Sequence, residues 1–140
     1  MAHFAKIVER ANQDNIPIRG AISCVMGCPY EKEVDVNLIR KLSKDFIDMG
    51  CYEVALADTI GTGTPEMTHE LIEEVSKDVP VEKLGIHFHD TYKRALPNML
   101  VALEHGINVF DSSVAGLGGC PFAPGATGNV STEDTIYMLK

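Results

Sequence analysis

Apolar positions along this chain follow two different rhythms. Four short runs, IRGAISCV (18–25), YEVALAD (52–58), LGIHFHD (84–90) and NVFDSSVAG (108–116), are mostly apolar and end near small or polar residues. Runs of that length and setting predict β-strands. Between them the apolar residues recur every three or four positions. Over 35–49, Val36, Ile39, Leu42, Phe46 and Met49 fall on one face, and Gly50 supplies a C-terminal stop. Over 64–79, Thr64 can cap, Pro65 suits the first helical position, and Met67, Leu71, Ile72 and Val75 form a stripe that Pro80 ends. Over 92–105 the stripe is Leu96, Met99, Leu100 and Leu103, and Gly106 closes it. Pro97 requires that helix to start late, because a proline in a helix interior costs roughly 3 kcal/mol. Phe4, Ile7, Val8 and Ala11 align as a helix over the first dozen residues, and Ser131 with Asp134 reads as a capping motif opening a last one.

The order is therefore α-βα-βα-βα-β-α, an α/β class chain whose strands run parallel through right-handed crossovers. Two architectures fit, an open doubly wound sheet or part of a (β/α)8 TIM barrel. Neither a GxGxxG turn nor a Walker lysine loop is present, which removes the usual nucleotide signature of the open sheet. Polar residues instead gather at the C-terminal ends of the strands: Asp58, then His89 and Asp90, then Asp111, Ser112 and Ser113. That placement favours the barrel. A complete barrel takes about 250 residues, so four βα units amount to half of one, a single partial-barrel domain over 1–140.

Composition adds exclusions. With 12 Lys and Arg against 20 Asp and Glu, the formal charge is −8 and the pI near 5.0, which argues against nucleic acid or an anionic membrane surface as the main partner. No apolar run approaches the roughly 20 residues that cross a bilayer, and the first residues lack the apolar stretch of a secretory signal. The four cysteines, Cys24, Cys28, Cys51 and Cys120, have no second pair at zinc-site spacing. The expectation is a reduced, cytoplasmic chain in which Cys24 and Cys51 are small core residues.

The run GIHFHD (85–90) carries the first candidate chemistry. On a strand, His87 and His89 share a face with Cα atoms about 6.6 Å apart, and Phe88 points the other way. Two imidazoles projecting into a barrel mouth can converge on one divalent cation, and an oxygen-rich remainder of the shell would favour Mg²⁺ or Mn²⁺. They can equally be hydrogen-bonded interior histidines or an acid/base pair without metal. The second candidate is SSVAGLGGCPFAPGATGN (112–129), with five glycines, two prolines and no charge. Its composition suits a loop that closes over a site. Cys120 in its middle is either a proton-transferring or nucleophilic thiol or a plain loop thiol.

Together GCPYE, CYEVALADTIGTGTP, HFHDTY and DSSVAGLGGCPFAPGATGN closely resemble the 3-hydroxy-3-methylglutaryl-CoA lyase family, one of the metal-dependent Claisen-type lyases and synthases built on a TIM barrel. The likeness runs from about Ile16 to Leu139, and the SSVAGLGGCP block is its most specific part. The resemblance implies metal ligation by His87, His89 and the Asn129 side-chain oxygen. It implies a catalytic thiol at Cys120, a proton-accepting role for His87, and Asp58 near the acyl substrate, unless that carboxylate is structural. The implied reaction is retro-Claisen cleavage of 3-hydroxy-3-methylglutaryl-CoA to acetyl-CoA and acetoacetate with Mg²⁺ or Mn²⁺. The likeness is to barrel strands five to eight; the family's first strand, with its adjacent arginine and aspartate, has no counterpart here. Expected partners are an acyl-CoA substrate and a second copy of the chain or the missing barrel half. The alternatives are another lyase or synthase with the same histidine pair, or an inactive truncated partner of a full-length homologue.

Overall fold

Local capping fixes where the helices begin and end. In the structure, a computed structural model that describes residues 2–121, 123, 125 and 128–140, α1 (Ala2–Gln13) leads into β1 (Arg19–Ile22). Asp35 accepts from Asn37 N and opens α2 (Val36–Met49), which Gly50 ends in the left-handed region at φ 111°. After β2 (Glu53–Asp58), Thr64 accepts from Met67 N and Pro65 takes the first position of α3 (Pro65–Val75). A 3-10 turn (Val81–Lys83) then feeds β3 (Leu84–Phe88). The helix α4 (Ala95–Glu104) does start late. Pro97 therefore lies in its first turn, where the missing N–H would have had no helical acceptor. After β4 (Val109–Phe110), a 3-10 turn (Val114–Gly116) and the glycine-rich loop lead to α5 (Thr132–Met138), whose cap Ser131 accepts from Asp134 N at 3.0 Å.

All four strands run parallel in the order β1-β2-β3-β4. A sequential order without reversal lacks the switch point of an open doubly wound sheet, and it is the order of an arc of a TIM barrel. Side chains alternate accordingly. Ile22, Val54, Leu56, Leu84, Ile86 and Phe88 join one core with Ile39, Phe46, Leu71, Ile72, Val75, Met99 and Ala102 of the helices. Each fully buried side chain of that size contributes about 1.5–3 kcal/mol. The other face presents Arg19, Ala21, Ala55, Ala57, His87 and Asp111 around a cavity of about 360 Å³. No helix among the described residues is long and apolar enough to cross a membrane.

Several sequence expectations need correction. The face that α4 buries is Ala95, Asn98, Met99 and Ala102, while Leu100 is exposed and Leu96 and Leu103 are only partly covered. Small residues let the helix lie close to the sheet, and Asn98 earns its buried place by donating Nδ2–H to the Gly63 carbonyl at 3.0 Å. Met67 is likewise exposed, its place in the α3 stripe taken by Thr68, whose hydroxyl bonds the Thr64 carbonyl at 2.9 Å. Cys51 is buried as expected, but Cys24 is only half-buried, because its backbone takes φ 62° just beyond β1. The fourth strand is two residues long, and β3 ends at Phe88, so His89 lies one residue past its ladder.

Candidate metal centre and flap

Strand alternation on β3 does the first work. Leu84, Ile86 and Phe88 enter the helix layer, which turns His87 to the inner face. The next residue on that side, His89, continues beyond the strand in an isolated antiparallel bridge with Asn129, while its N–H donates to the Asp58 carbonyl at 3.3 Å. The two imidazole centroids stand 5.3 Å apart with their planes at 57°, so the strand brings both rings to one place. His89 is buried and His87 partly open. Burial first, and then the neighbouring His87, push the His89 imidazole below its usual range, against the opposing pull of the Thr59 carbonyl on the ring N–H. His89 is thereby kept neutral at neutral pH, the form that donates a lone pair.

The Asn129 backbone is held beside that of His89 by bonds on either side of it. Asp90 N donates to the Gly128 carbonyl, and Ser113 N to that of Val130, both at 3.1 Å. The Asn129 Nδ2–H donates to the Leu117 carbonyl at 2.9 Å, leaving the amide oxygen for another partner. At Gly128, with φ 118°, a Cβ would lie 1.8 Å from the Gly118 carbonyl oxygen. The two ends of the flap are thus in backbone contact, an arrangement open only to glycine. Phe122, Pro124, Ala126 and Thr127 of this segment lie outside the described residues.

Cys120 is half-buried within the flap. At the end of β1, the Cys24 thiol is pushed up by burial and by the neighbouring Cys28, against a hydrogen bond from Thr59. Cys28, by contrast, is lowered by the backbone N–H groups of Glu31 and Tyr30.

Asp58 is buried at the end of β2, and both its oxygens are committed. Oδ1 accepts from Gly61 N at 3.0 Å and Oδ2 from Gly63 N at 2.8 Å. Burial raises this carboxyl, with the two glycine N–H groups opposing. The geometry supports the structural alternative for Asp58: it shapes the β2–α3 turn and, through its backbone carbonyl, holds His89.

A charged network that was not singled out from the sequence runs beneath the histidines. Arg19 Nε donates to Glu53, and Arg19 Nη1 reaches both oxygens of Asp111 at 3.0 and 2.8 Å. Asp111 Oδ2 lies 3.3 Å from His87 Nδ1. The arginine can cross the sheet because Ala21, Ala55 and Gly85, in register across β1, β2 and β3, leave room; a Cβ on Gly85 would stand 2.5 Å from Arg19 Nη2. The only sequence signal was a basic residue opening an apolar run.

As donors for a cation, two imidazoles and an amide oxygen suit a divalent ion of nitrogen and oxygen preference. The buried His89 Nδ1 makes no well-formed hydrogen bond among the described residues, although the Thr59 carbonyl acts on the ring, and a nitrogen so weakly engaged fits a site completed by a ligand. No three His, Cys, Asp or Glu side chains converge at metal spacing among the described residues.

Comparison with known proteins bears on the family and the fold. The family model described as HMGL-like matches residues 1–140. A Danio rerio protein named 3-hydroxy-3-methylglutaryl-CoA lyase, cytoplasmic, is 52% identical over 139 residues, covering 99% of this chain and 42% of the relative. A Pseudomonas aeruginosa protein named 3-hydroxy-3-isohexenylglutaryl-CoA/hydroxy-methylglutaryl-CoA lyase is 53% identical over 140 residues, covering 100% of this chain and 47% of the relative. The crystal structure of hydroxymethylglutaryl-CoA lyase from Pseudomonas aeruginosa superposes with a TM-score of 0.93 at 54% identity, over 97% of this chain and 45% of that one. Other relatives are named as mitochondrial. The chain spans less than half the length of the relatives it matches.

Proposed function

Because this chain belongs to the HMGL-like family, we propose that it carries the metal-binding and flap half of a lyase cleaving a 3-hydroxy-3-methylglutaryl-CoA-type thioester into acetyl-CoA and acetoacetate. The observation that supports this reading is the pair of imidazoles, His87 and His89, 5.3 Å apart at the C-terminal end of parallel strands, with the backbone of Asn129 from the flap bridged to that of His89. His87, His89 and the Asn129 oxygen would hold Mg²⁺ or Mn²⁺. When bound, the cation supplies Lewis acidity and a template for hydroxyl and carboxylate oxygens.

The remaining work falls to side chains. Cleavage begins with loss of the proton from the tertiary hydroxyl. His87, which lines the open cavity, can accept that proton only at Nε2, since Nδ1 faces Asp111. The same nitrogen is the one available for ligation, so His87 is the proton acceptor only where His89 and Asn129 hold the cation without it. Breaking the carbon–carbon bond leaves acetoacetate and the acetyl-CoA enolate. Cys120 is the acid that protonates the enolate carbon, and the flap excludes water while it does so. Asp58 keeps the β2–α3 turn and the His89 backbone in place.

Complete turnover requires the barrel length that the relatives have and this stretch lacks. The test is acetoacetate formation with Mn²⁺ by the 140-residue chain, alone and mixed with the first half of a homologous lyase. Turnover only in the mixture, abolished by His89→Ala, is the expected result. Equal activity without the added half, or none when it is present, would defeat the proposal.

A further inference from the structure

Asp111 sits where β4 ends, on the same face as His87, and its two oxygens are engaged unequally. Arg19 Nη1 bonds both of them, and Oδ2 alone also faces His87 Nδ1 at 3.3 Å. Arg19 is anchored in turn by buried Glu53 on the neighbouring strand. Glu53, Arg19, Asp111 and His87 therefore form one chain of charged and polar contacts that ties all four strands together. We propose that Asp111 is a positioning residue for the metal centre: held by Arg19, it keeps the proton of neutral His87 on Nδ1, and so turns the lone pair of Nε2 outward.

The physical reason lies in what each partner can offer. A carboxylate only accepts hydrogen bonds and a guanidinium only donates them, so the Arg19–Asp111 pair has a single polarity and cannot rearrange. The ring nitrogen facing Oδ2 must then be the one that carries hydrogen. Both roles considered for His87, cation ligand and proton acceptor, use the other nitrogen. One carboxylate thus prepares the imidazole for either role. Carboxylates behind a ligating histidine set ring orientation in this way, and losing one commonly costs 10–100-fold in metal affinity. The inference rests on reading His87 as part of a metal site, but the tautomer it asserts exists without any metal.

Asp111→Asn is the discriminating variant. Arg19 needs an acceptor, so it captures the amide oxygen and leaves the amide N–H₂ facing His87, which reverses the bond and places the ring proton on Nε2. The experiment measures ¹⁵N shifts of His87 in the full 140-residue chain at pH 8 without metal, alongside Mn²⁺ affinity from the free-ion electron paramagnetic resonance signal. The expected results for Asp111→Asn are a swap of tautomer and at least tenfold weaker Mn²⁺ binding, with an unchanged circular dichroism spectrum. Asp111→Glu keeps the carboxylate and should retain the native tautomer with intermediate affinity; it also serves if the asparagine variant fails to fold. An unchanged tautomer in Asp111→Asn, or a swapped one in Asp111→Glu, would overturn the proposal. If the unsubstituted chain binds no Mn²⁺, the metal reading falls, and the nitrogen shifts alone still decide what Asp111 does.

Discussion

Asn129 faces His89 across an isolated antiparallel bridge, so the root of the flap and the end of β3 are one structural unit. Asn129 on the flap and His89 at the sheet, both proposed to hold the cation, are thereby coupled through their backbones.

Gly128→Ala tests that unit. The new methyl group would meet the Gly118 carbonyl at 1.8 Å in a backbone held at φ 118°. Left-handed strain alone costs about 1–3 kcal/mol, and the clash forces the flap base apart. The expected outcome is a lower unfolding midpoint together with weaker Mn²⁺ binding. A variant that binds Mn²⁺ normally would show the flap base to be irrelevant to the centre.

Gly85→Ala probes the floor beneath the histidines. A Cβ there meets Arg19 Nη2 at 2.5 Å and Glu53 Oε1 at 2.9 Å, so the ion pair must shift in a packed site. Urea unfolding should report a loss of about 1–3 kcal/mol, as for other overpacked cores. No loss would mean that the arginine has room to spare.

Cys120→Ala separates a lyase from a synthase with the same histidine pair. Removing a positioned acid should lower acetoacetate formation in the reconstituted mixture by about 10²–10⁴-fold and leave Mn²⁺ affinity intact. Near-normal turnover would favour the synthase reading.

His89 makes metal-free stability depend on pH. Its folded pKa is lowered, chiefly by burial, whereas an unfolded histidine titrates near 6.5. Above that value the two states bind protons alike and the full stability is present. As pH falls through it, the unfolded chain takes up a proton that folded His89 resists, and stability declines until the lowered folded pKa is passed. Urea unfolding of the metal-free chain between pH 8 and 5 should show this fall, and His89→Gln should flatten it. An unaltered slope in the variant would assign the effect to another group.

How much of this was legible in the chain depended on how local the cause was. Thr64, Pro65, Gly50 and Ser131 act within one turn of themselves, and each does what its residue type foretold. The pairing of His87 with His89 was readable from strand alternation, although His89 lies one residue past β3 and is held there by the Asn129 bridge and the Asp58 carbonyl. Counting apolar residues misjudged α4 because close packing selected Ala95 and Ala102, and because Asn98 found a carbonyl to bond. Asp58 illustrates a different limit: a carboxylate at a strand end looks the same in sequence whether it meets a substrate or two glycine N–H groups. Arg19 was hidden most deeply, since its meeting with Asp111, 92 positions later, depends on the register of every strand between them.

The brevity of β4 bears on self-association. Copies closing into a ring would have to join β1 of one molecule to β4 of the next, and a strand of two residues offers few main-chain bonds for such a seam. Two copies meeting through β1 would instead be related by a dyad, their strands running in opposite directions. Such a pair would be a flat-joined eight-stranded ribbon whose two sets of imidazoles belong to separate mouths.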